Sequence, residues 1–439
     1  MTDVEVSREL VDFVASSPSM FHSARTIGRY LDKAGFVRLS EGSPWELEPG
    51  GSYYTTRNNS SVIAFRVGEE LDDYHFQLAA SHADSPSFKV KGVPELEGPG
   101  GYLRLNVEGY GGMIDYSWLD RPLSLAGRVM VQEGDAVRNE LFAPDRDLLL
   151  VPSVPVHMNR DVNEGYAFNH QVDLCPMASA GELGAGWLDQ LVADELGVRA
   201  DQVLARDLFL VNRVEGRVWG AAGEFVSAGH LDDLQCAFAS LKGFLAARNP
   251  HDVSVYACLD NEEVGSNTKQ GALSTFLCDV LVRVNAALGR EEEALARALA
   301  RSFMVSCDNA HAVHPNHPEK FDDANRCWLN GGIVVKEAAN QSYTTDAFSR
   351  AAFLAICRRA GVPVQTFANR SDSRGGSTLG NLSNMQVSMH AVDVGLPQLA
   401  MHSAYETAGA RDTAHAIRAL EAFYSCDLRI DGAEGFVLA

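Results

Sequence analysis

Apolar residues near the start of the chain recur with the spacing of helices. Leu10 and Phe13 belong to one apolar face, and Ile27 and Leu31 belong to a second face that stops at Gly35. Residues three and four positions apart lie on the same side of an α-helix, and glycine is favoured just beyond a helix end. The first segment therefore predicts two helices.

The next part of the chain changes to short apolar runs of strand length. The runs SVIAFRV and FQLAAS, between residues 61 and 81, are partly β-branched and carry few polar residues. Such runs are typical of strands that are buried on both faces of a sheet. From about residue 94 to residue 221, glycines become frequent and short alternating runs such as LAGRVMVQEG replace longer patterns. This stretch predicts an inserted, largely β domain.

After the insertion, strand-like and helix-like patterns alternate. The runs SVYACLD, FMVSCDNA and LPQLAMHS have strand length, and helical stretches such as EEEALARALARSF separate them. Alternation of this kind is typical of an α/β fold. We therefore predict one α/β core with a central mixed sheet flanked by helices, made from residues 1–93 and 222–439, with residues 94–221 inserted as a mostly β domain.

The net charge and the apolar runs of the chain limit the kinds of partner that it can bind. The 439 residues carry a formal net charge of -21, which disfavours nucleic acid and anionic membranes as partners because both need a basic surface. No apolar run reaches the length of a membrane helix, and the acidic N-terminal segment does not have the basic start of a signal peptide. The expectation is a soluble cytoplasmic protein without nucleic-acid or membrane partners, and the eight dispersed cysteines are expected to be reduced.

Four of the strand-like runs end on residue types that bind metals. FQLAAS leads to His82, SVYACLD to Glu263, FMVSC to Asp308 and LPQLAM to His402, while Asp232 follows the insertion. The carboxyl ends of strands in an α/β sheet border one crevice, so we expect these side chains to converge. Singly, each has an ordinary alternative as an interior histidine, a helix cap or a solvated acid. Together they form a nitrogen and oxygen set that suits zinc.

The number of candidate ligands indicates two metal ions. A single catalytic zinc usually has about three protein ligands, and a shared carboxylate bridges metal pairs that act on a carbonyl group. Neighbouring Glu262 and Glu263 point in different directions, so one can bind metal while the other transfers protons.

The motifs SHADSP, LDDL, DNEEVGS, DNAHAVHPN and LPQLAMHS, in this order, resemble the aspartyl aminopeptidase family of dinuclear zinc metallopeptidases. The resemblance extends over nearly the whole chain, including WLDRPLSLAGRV and PSVPVHMNRDVNEG in the insertion. It implies two zinc ions per subunit, for which cobalt or manganese can substitute, and hydrolysis of the N-terminal peptide bond of peptides by a zinc-activated water.

The resemblance also implies roles for individual residues. One metal has His82, Asp232 and Asp308 as ligands, and the other has Asp232, Glu263 and His402, with Asp232 as the bridge. Glu262 is the general base, Asp84 orients the imidazole of His82, and the Asp232–Asp233 peptide bond is cis.

The same family implies a zinc-peptidase-like core and an oligomerisation role for the insertion, residues 94–221, as a dimerisation or lid domain. It also implies assembly into a homododecamer in which His157 reaches a neighbouring active site; an ordinary dimer contact is the alternative for this residue. The family name implies a preference for acidic N-terminal residues, for which Lys336 and Arg374 are the candidate cations. Ordinary surface charges are the alternative for both.

Some positions differ from the family pattern. The family usually has a basic residue at the position of His230 and asparagine at that of Asp233, and Arg374 is unusual in its glycine-rich loop. We expect His230 not to bind metal directly. The histidines of AHAVHPNHP resemble a metal cluster, but the prolines favour supporting or structural roles; they are His311, His314 and His317.

Two other functions are compatible with these patterns. A two-metal amidohydrolase that deacylates N-acyl amino acids uses the same carbonyl chemistry. A non-catalytic oligomeric binding protein is the alternative from a different class, but the ligand set and Glu262 are complete in this chain.

Overall fold

The computed structural model describes residues 2–373 and 375–439. It divides into two compact units. The first consists of Met1–Asp84, Gly216–Met401 and Glu406–Ala439, and the second consists of Ser85–Glu215 and His402–Tyr405. The predicted bounds of the insertion, residues 94 and 221, lie near the bounds of the long segment of the second unit.

The helices and strands occupy the following ranges. The helices are α1 (Asp3–Ala15), α2 (Met20–Lys33), α3 (Trp187–Leu196), α4 (Leu231–Ala246), α5 (Phe276–Ala287), α6 (Glu292–Ala300), α7 (Ala347–Ala360), α8 (Leu379–Gln386) and α9 (Asp412–Ser425). The strands are β1 (Val37–Arg38), β2 (Ser52–Arg57), β3 (Ser61–Val67), β4 (Phe76–His82), β5 (Ser87–Glu97), β6 (Leu103–Tyr110), β7 (Leu123–Glu133), β8 (Ala136–Phe142), β9 (Met177–Ser179), β10 (Val203–Asn212), β11 (Arg217–Trp219), β12 (Phe225–Ala228), β13 (Val253–Leu259), β14 (Phe303–Cys307), β15 (Ala310–His311), β16 (Ile333–Glu337), β17 (Val364–Ala368), β18 (His390–Gly395), β19 (Pro397–Leu399), β20 (Glu406–Gly409), β21 (Leu428–Asp431) and β22 (Gly435–Leu438).

A mixed sheet forms the centre of the first unit. Its strand order is β1-β2-β3-β13-β4-β14-β18-β16-β17. Strands β13, β4, β14 and β18 are mutually parallel, whereas β3 and β16 run antiparallel to their neighbours β13 and β18. Every residue of β3, β4, β13 and β14 is buried, as expected for strands covered on both faces. The predicted α/β core is confirmed.

Helices cover this sheet because each presents an apolar face. The predicted helices near the N-terminus are α1 and α2, and α7 ends at Gly361 in the left-handed conformation that favours glycine. The first unit also contains a smaller sheet with the order β11-β12-β20-β19-β15. Strand β12 ends shortly before Asp232, and its neighbour β20 begins with Glu406.

The second unit is built around an antiparallel sheet with the order β8-β7-β10-β5-β6-β9. Helix α3 contributes Leu188 and Val192 to a separate apolar core that also contains Phe88 and Trp118. This unit therefore has its own hydrophobic centre. Within the part of the chain that the structure describes, no helix is long and apolar enough to span a bilayer.

Candidate metal centre

Three neighbouring parallel strands deliver polar residues to one edge of the large sheet. Strand β4 ends at His82, which is in register with Leu259 at the end of β13. Strand β14 ends at Cys307, directly before Asp308, and Glu262 opens a short turn just beyond β13. Because parallel strands end at the same edge, the fold brings together side chains from distant parts of the sequence.

The side chains at this edge converge closely enough to share a cation. The Nε2 atom of His82 lies 3.4 Å from Oδ1 of Asp232 and 3.8 Å from Oδ1 of Asp308. His82, Asp232, Asp233 and Asp308 each offer a ligand atom, and these atoms lie within 4.8 Å of one another. All four residues are buried. Glu262 and Glu263 form a second such group with His82 and are partly buried.

Asp232 and Asp233 lie in the first turn of α4, where their backbone angles are not helical. Their shared peptide bond is cis, which confirms that prediction. The N–H of Asp232 donates to Oε2 of Glu406 at 3.0 Å, and the N–H of His82 donates to Oδ2 of Asp233 at 3.0 Å. The buried Glu406 was not singled out from the sequence; its only sequence signal is its position shortly after the LPQLAMHS motif.

Asp84 connects the histidine segment to the turn that contains both glutamates. Its Oδ1 and Oδ2 atoms accept hydrogen bonds from the backbone N–H groups of Glu262 and Glu263, at 3.1 Å and 3.2 Å. The Nδ1 atom of His82 lies 3.0 Å from the backbone oxygen of Asp84, and 3.5 Å from the carboxylate. The backbone oxygen is thus the nearer partner of the ring, and the carboxylate anchors the turn.

Burial and mutual repulsion shift the ionisation of these groups. Burial raises the pKa of Glu262 to about 8, and it raises the pKa values of Glu263 and Asp233 well above their ordinary range. Burial alone would lower the pKa of His82, but the surrounding carboxylates, Asp233 foremost, raise it well above 6.5. The cluster is therefore an acidic site that favours positive charge.

This donor set fits a divalent metal ion. Burying several carboxylates around one imidazole is costly unless a cation compensates their charge. Imidazole nitrogen with carboxylate oxygen is the ligand chemistry of catalytic zinc sites. The convergence of His82, Asp232 and Asp308, together with the raised pKa values, thus meets the requirements for zinc.

The remaining sequence-predicted residues occupy several environments. His402 begins the segment His402–Tyr405, which is grouped with the second unit, so its role as a ligand stays a prediction. His157 is exposed in a turn of the second unit. Arg374 lies outside the described residues. His230 precedes α4 with a φ of 59°, and burial lowers the pKa of its ring.

Lys336 is buried beside the candidate ligands. Its Nζ donates to the backbone oxygens of Asp308 and Asn309, at 2.8 Å and 3.3 Å, and lies 3.4 Å from Oδ2 of Asp308. It also lies 5.1 Å from the centre of the Tyr343 ring. The ammonium group therefore lies at the edge of the cluster of candidate metal ligands.

The histidines of the AHAVHPNHP segment are exposed. The rings of His314 and His317 lie 5.1 Å apart, and Nδ1 of His317 lies 3.2 Å from a carboxylate oxygen of Glu319. His311 packs its ring edge-on against Phe367. Among residues 2–373 and 375–439, the groups whose spacing suits a metal ion include none of these three histidines.

The chain resembles known zinc peptidases over nearly its full length. A family model described as aminopeptidase I zinc metalloprotease (M18) matches residues 13–424. A probable M18 family aminopeptidase 2 of Clostridium novyi is 41% identical over 433 residues, which cover 96% of this chain and 99% of the relative.

Solved structures share the fold. A structure of the Ape4 and Nbr1 complex superimposes with a TM-score of 0.93 at 34% identity, over 95% of this chain and 85% of that chain. A structure of the S. cerevisiae mApe1 dodecamer has a TM-score of 0.85 at 26% identity, over 96% of each chain.

Proposed function

Because the chain belongs to the M18 family of aminopeptidase I zinc metalloproteases and is a zinc aminopeptidase, we propose that it removes single N-terminal residues from peptides with two zinc ions and Glu262 as general base. The observation that carries this mechanism is the buried convergence of His82, Asp232 and Asp308 next to Glu262 and Glu263. The ligand set of one open zinc site is smaller than this group of one imidazole and three carboxylates, which are those of Asp232, Glu263 and Asp308.

We assign the ligands by combining this cluster with the family motifs. His82, Asp232 and Asp308 would hold one ion, and Asp232, Glu263 and His402 would hold the other. Asp232 would be the ligand that both ions share. In support, carboxylate oxygens of Asp232 and Glu263 lie within 4.8 Å of each other. When bound, zinc acts as a Lewis acid on the scissile carbonyl and makes water a stronger nucleophile at neutral pH.

Glu262 moves the proton in this scheme. Its carboxylate takes a proton from the attacking water as the C–O bond forms, and it returns that proton to the leaving amine as the C–N bond breaks. Asp84 supports both glutamates because it accepts hydrogen bonds from their N–H groups. The carboxylate of Asp84 thus fixes the backbone of Glu262 relative to that of Glu263.

We further propose a preference for acidic N-terminal residues. The net charge of -21 repels acidic substrates at long range, so such a preference requires a local cation. Lys336 is the candidate, since its buried ammonium lies beside Asp308. Arg374 is the second candidate from the sequence.

Self-association is part of the same proposal. The likeness to a dodecameric aminopeptidase supports a homo-oligomer, most simply a dodecamer, in which His157 contributes to a neighbouring site. The cytoplasmic location of this activity stays a prediction.

A substrate panel tests the function. Aminoacyl chromogenic substrates with Asp, Glu or Leu, and their N-acetylated counterparts, are assayed with metal-stripped protein before and after addition of zinc, cobalt or manganese. Hydrolysis of the free amines only, dependent on metal, is the expected result. Preference for the acetylated forms would favour a deacylase, and no turnover with any metal would favour a binding protein.

Elemental analysis of the fully loaded protein tests the two-ion assignment. We expect two zinc ions per chain. Reproducible saturation at one ion would remove Asp232 as a bridge.

A further inference from the structure

Asp393 on β18 has a buried carboxylate that joins two loops at the edge of the sheet where Asp308 lies. One loop contains Thr344 and follows β16, and the other contains Thr378 and precedes α8. Asp393 is fully buried. Ionised or strongly hydrogen-bonded carboxyl groups of this kind are retained where they fix a specific arrangement.

The first loop is attached to Asp393 through neighbouring threonines. The N–H and Oγ1 of Thr344 both donate to Oδ2 of Asp393, at 2.5 Å and 2.6 Å. The backbone N–H of Asp393 donates to Oγ1 of Thr345 at 2.9 Å. Three hydrogen bonds therefore fix the loop that directly follows Tyr343.

The second loop is attached to the other carboxylate oxygen. Oγ1 of Thr378 donates to Oδ1 of Asp393 at 2.5 Å. The hydroxyl of Ser377 donates to the backbone oxygen of Ser342 at 3.5 Å, so the two loops also contact each other. A Cβ atom at Gly380, in the first turn of α8, would lie 2.9 Å from Oδ1 of Asp393, which shows how closely the start of this helix approaches the carboxylate.

Both loops border the candidate metal centre. Asp393 is in register with Ser306 on the neighbouring strand β14, and the N–H of Asp308 donates to the oxygen of Val394. Tyr343, one residue before Thr344, lies against Lys336, whose ammonium lies beside Asp308. The first loop is thus linked through Lys336 to Asp308, and the second loop contacts β14 through Thr378, whose Oγ1 lies 3.5 Å from Oγ of Ser306.

We infer that Asp393 is a positioning residue that clamps these two loops into one wall of the pocket for the substrate's N-terminal residue. The inference rests on the proposed aminopeptidase function. Because Asp393 contacts neither Glu262 nor the ligand cluster through any of these hydrogen bonds, its loss changes substrate binding more than it changes the chemical step.

Paired variants of the two threonines test the clamp without removing the buried carboxylate. Thr378→Val and Thr344→Val delete a hydroxyl at nearly constant volume, whereas Thr378→Ser and Thr344→Ser keep it. For each valine variant we expect KM to rise about tenfold, the scale of one lost hydrogen bond to a charged group, with kcat within about threefold. The serine variants are expected to restore KM.

Asp252→Asn is the matched control. Asp252 is also fully buried and accepts hydrogen bonds from Asn249 and Ser254, but it precedes β13 at the opposite end of that strand from Glu262. Asp393→Asn and Asp252→Asn are compared for KM, zinc content and thermal midpoint. We expect only Asp393→Asn to raise KM, with zinc content unchanged in both.

The outcomes separate this inference from the proposed function. Wild-type protein that hydrolyses no aminoacyl substrate contradicts the proposed function itself. If the wild type is active, an unchanged KM in both valine variants overturns the clamp, as does an equal rise of KM in Asp252→Asn. If Asp393→Asn does not fold, the threonine pairs still decide.

Discussion

At the scale of single residues, the proton chemistry depends on Glu262. Burial raises its pKa to about 8, so a nearby positive charge is needed to keep the carboxylate ionised at neutral pH. We expect Glu262→Gln to retain zinc and fold but to lose roughly a hundredfold or more in kcat, the range for general-base catalysis. Steady-state kinetics with parallel elemental analysis measures this loss.

Glu263→Gln is the control for that assignment. As a ligand variant it is expected to lose zinc together with activity. If Glu262→Gln kept near-normal turnover while Glu263→Gln kept its metal and lost turnover, the roles of the two glutamates would be exchanged.

Substitution of Asp233 tests whether this residue binds metal or only supports His82. Its Oδ2 accepts a hydrogen bond from the N–H of His82, and an asparagine oxygen accepts the same bond. We therefore expect Asp233→Asn to keep zinc and to retain turnover within about threefold, well short of the tenfold that one lost hydrogen bond to a charged group costs. A large loss of zinc affinity would instead identify Asp233 as a ligand.

The same substitution has a predicted pH dependence in the metal-free protein. Burial raises the pKa of Asp233 well above 3.8, so the folded state favours its protonated form. The wild type then loses stability as pH rises above that ordinary value, whereas Asp233→Asn does not carry this loss. In EDTA, the thermal midpoint of Asp233→Asn should exceed that of the wild type by more at pH 8 than at pH 5. A difference in midpoint that does not grow with pH would contradict the raised pKa of Asp233.

At the scale of elements, helices α4 and α9 pack so closely that a glycine is required between them. A Cβ atom at Gly243 would lie 2.8 Å from Cβ of Leu420 and 2.9 Å from the backbone nitrogen of Glu421. Gly243→Ala is expected to destabilise the protein by about 1–3 kcal/mol, although alanine is favoured in isolated helices. The free energy of unfolding in urea measures the effect.

Gly28 in α2 is the matched control. A Cβ atom there would meet only Tyr54, at the ordinary distances of 3.7 Å and 3.8 Å. Gly28→Ala should therefore stabilise the protein by roughly 0.5–1 kcal/mol. Similar effects of both substitutions would mean that the α4–α9 contact has room to adjust.

The elements also show what the sequence could predict. The apolar runs that became β4, β13 and β14 were recognisable because strands buried on both faces have few polar residues, and the metal-binding residue types follow their ends. The sequence alone therefore identifies the ligand candidates, although it does not contain their distances. The family motifs then assigned roles that spacing alone left open.

Contacts between distant strands were not predictable in this way. Glu406 supports Asp232 across 174 residues of sequence, and Asp393 reaches both threonine loops only because β18 pairs with β14 in one register. Asp84 was expected to orient His82, but the geometry of the following turn also gives its carboxylate two N–H donors. Such hydrogen bonds depend on which backbone groups the fold leaves unpaired, and the residue pattern does not contain that information.

At the scale of the whole molecule, the second unit has a surface region that is rich in apolar side chains. The second unit has a cavity of about 350 Å³ whose lining includes Tyr102, Val154, Tyr166 and Val172. Several apolar side chains of this region are exposed, including Met158 at 81%. Apolar side chains grouped on a surface in this way are typical of protein interfaces.

We predict that this region of the second unit is an assembly interface. An aspartate at a buried interface position leaves a charge unpaired, so Val172→Asp is expected to shift the mass measured by light scattering toward smaller species without loss of zinc. Val437→Asp is the matched control, because Val437 is exposed at 61%, compared with 66% for Val172, but lies on β22 of the first unit. The control should retain the mass of the wild type.

If His157 completes a neighbouring site, Val172→Asp should also lose turnover as it dissociates, with the zinc content of each chain unchanged. An unchanged mass for Val172→Asp, or an equal shift for both variants, would exclude this surface as the specific interface.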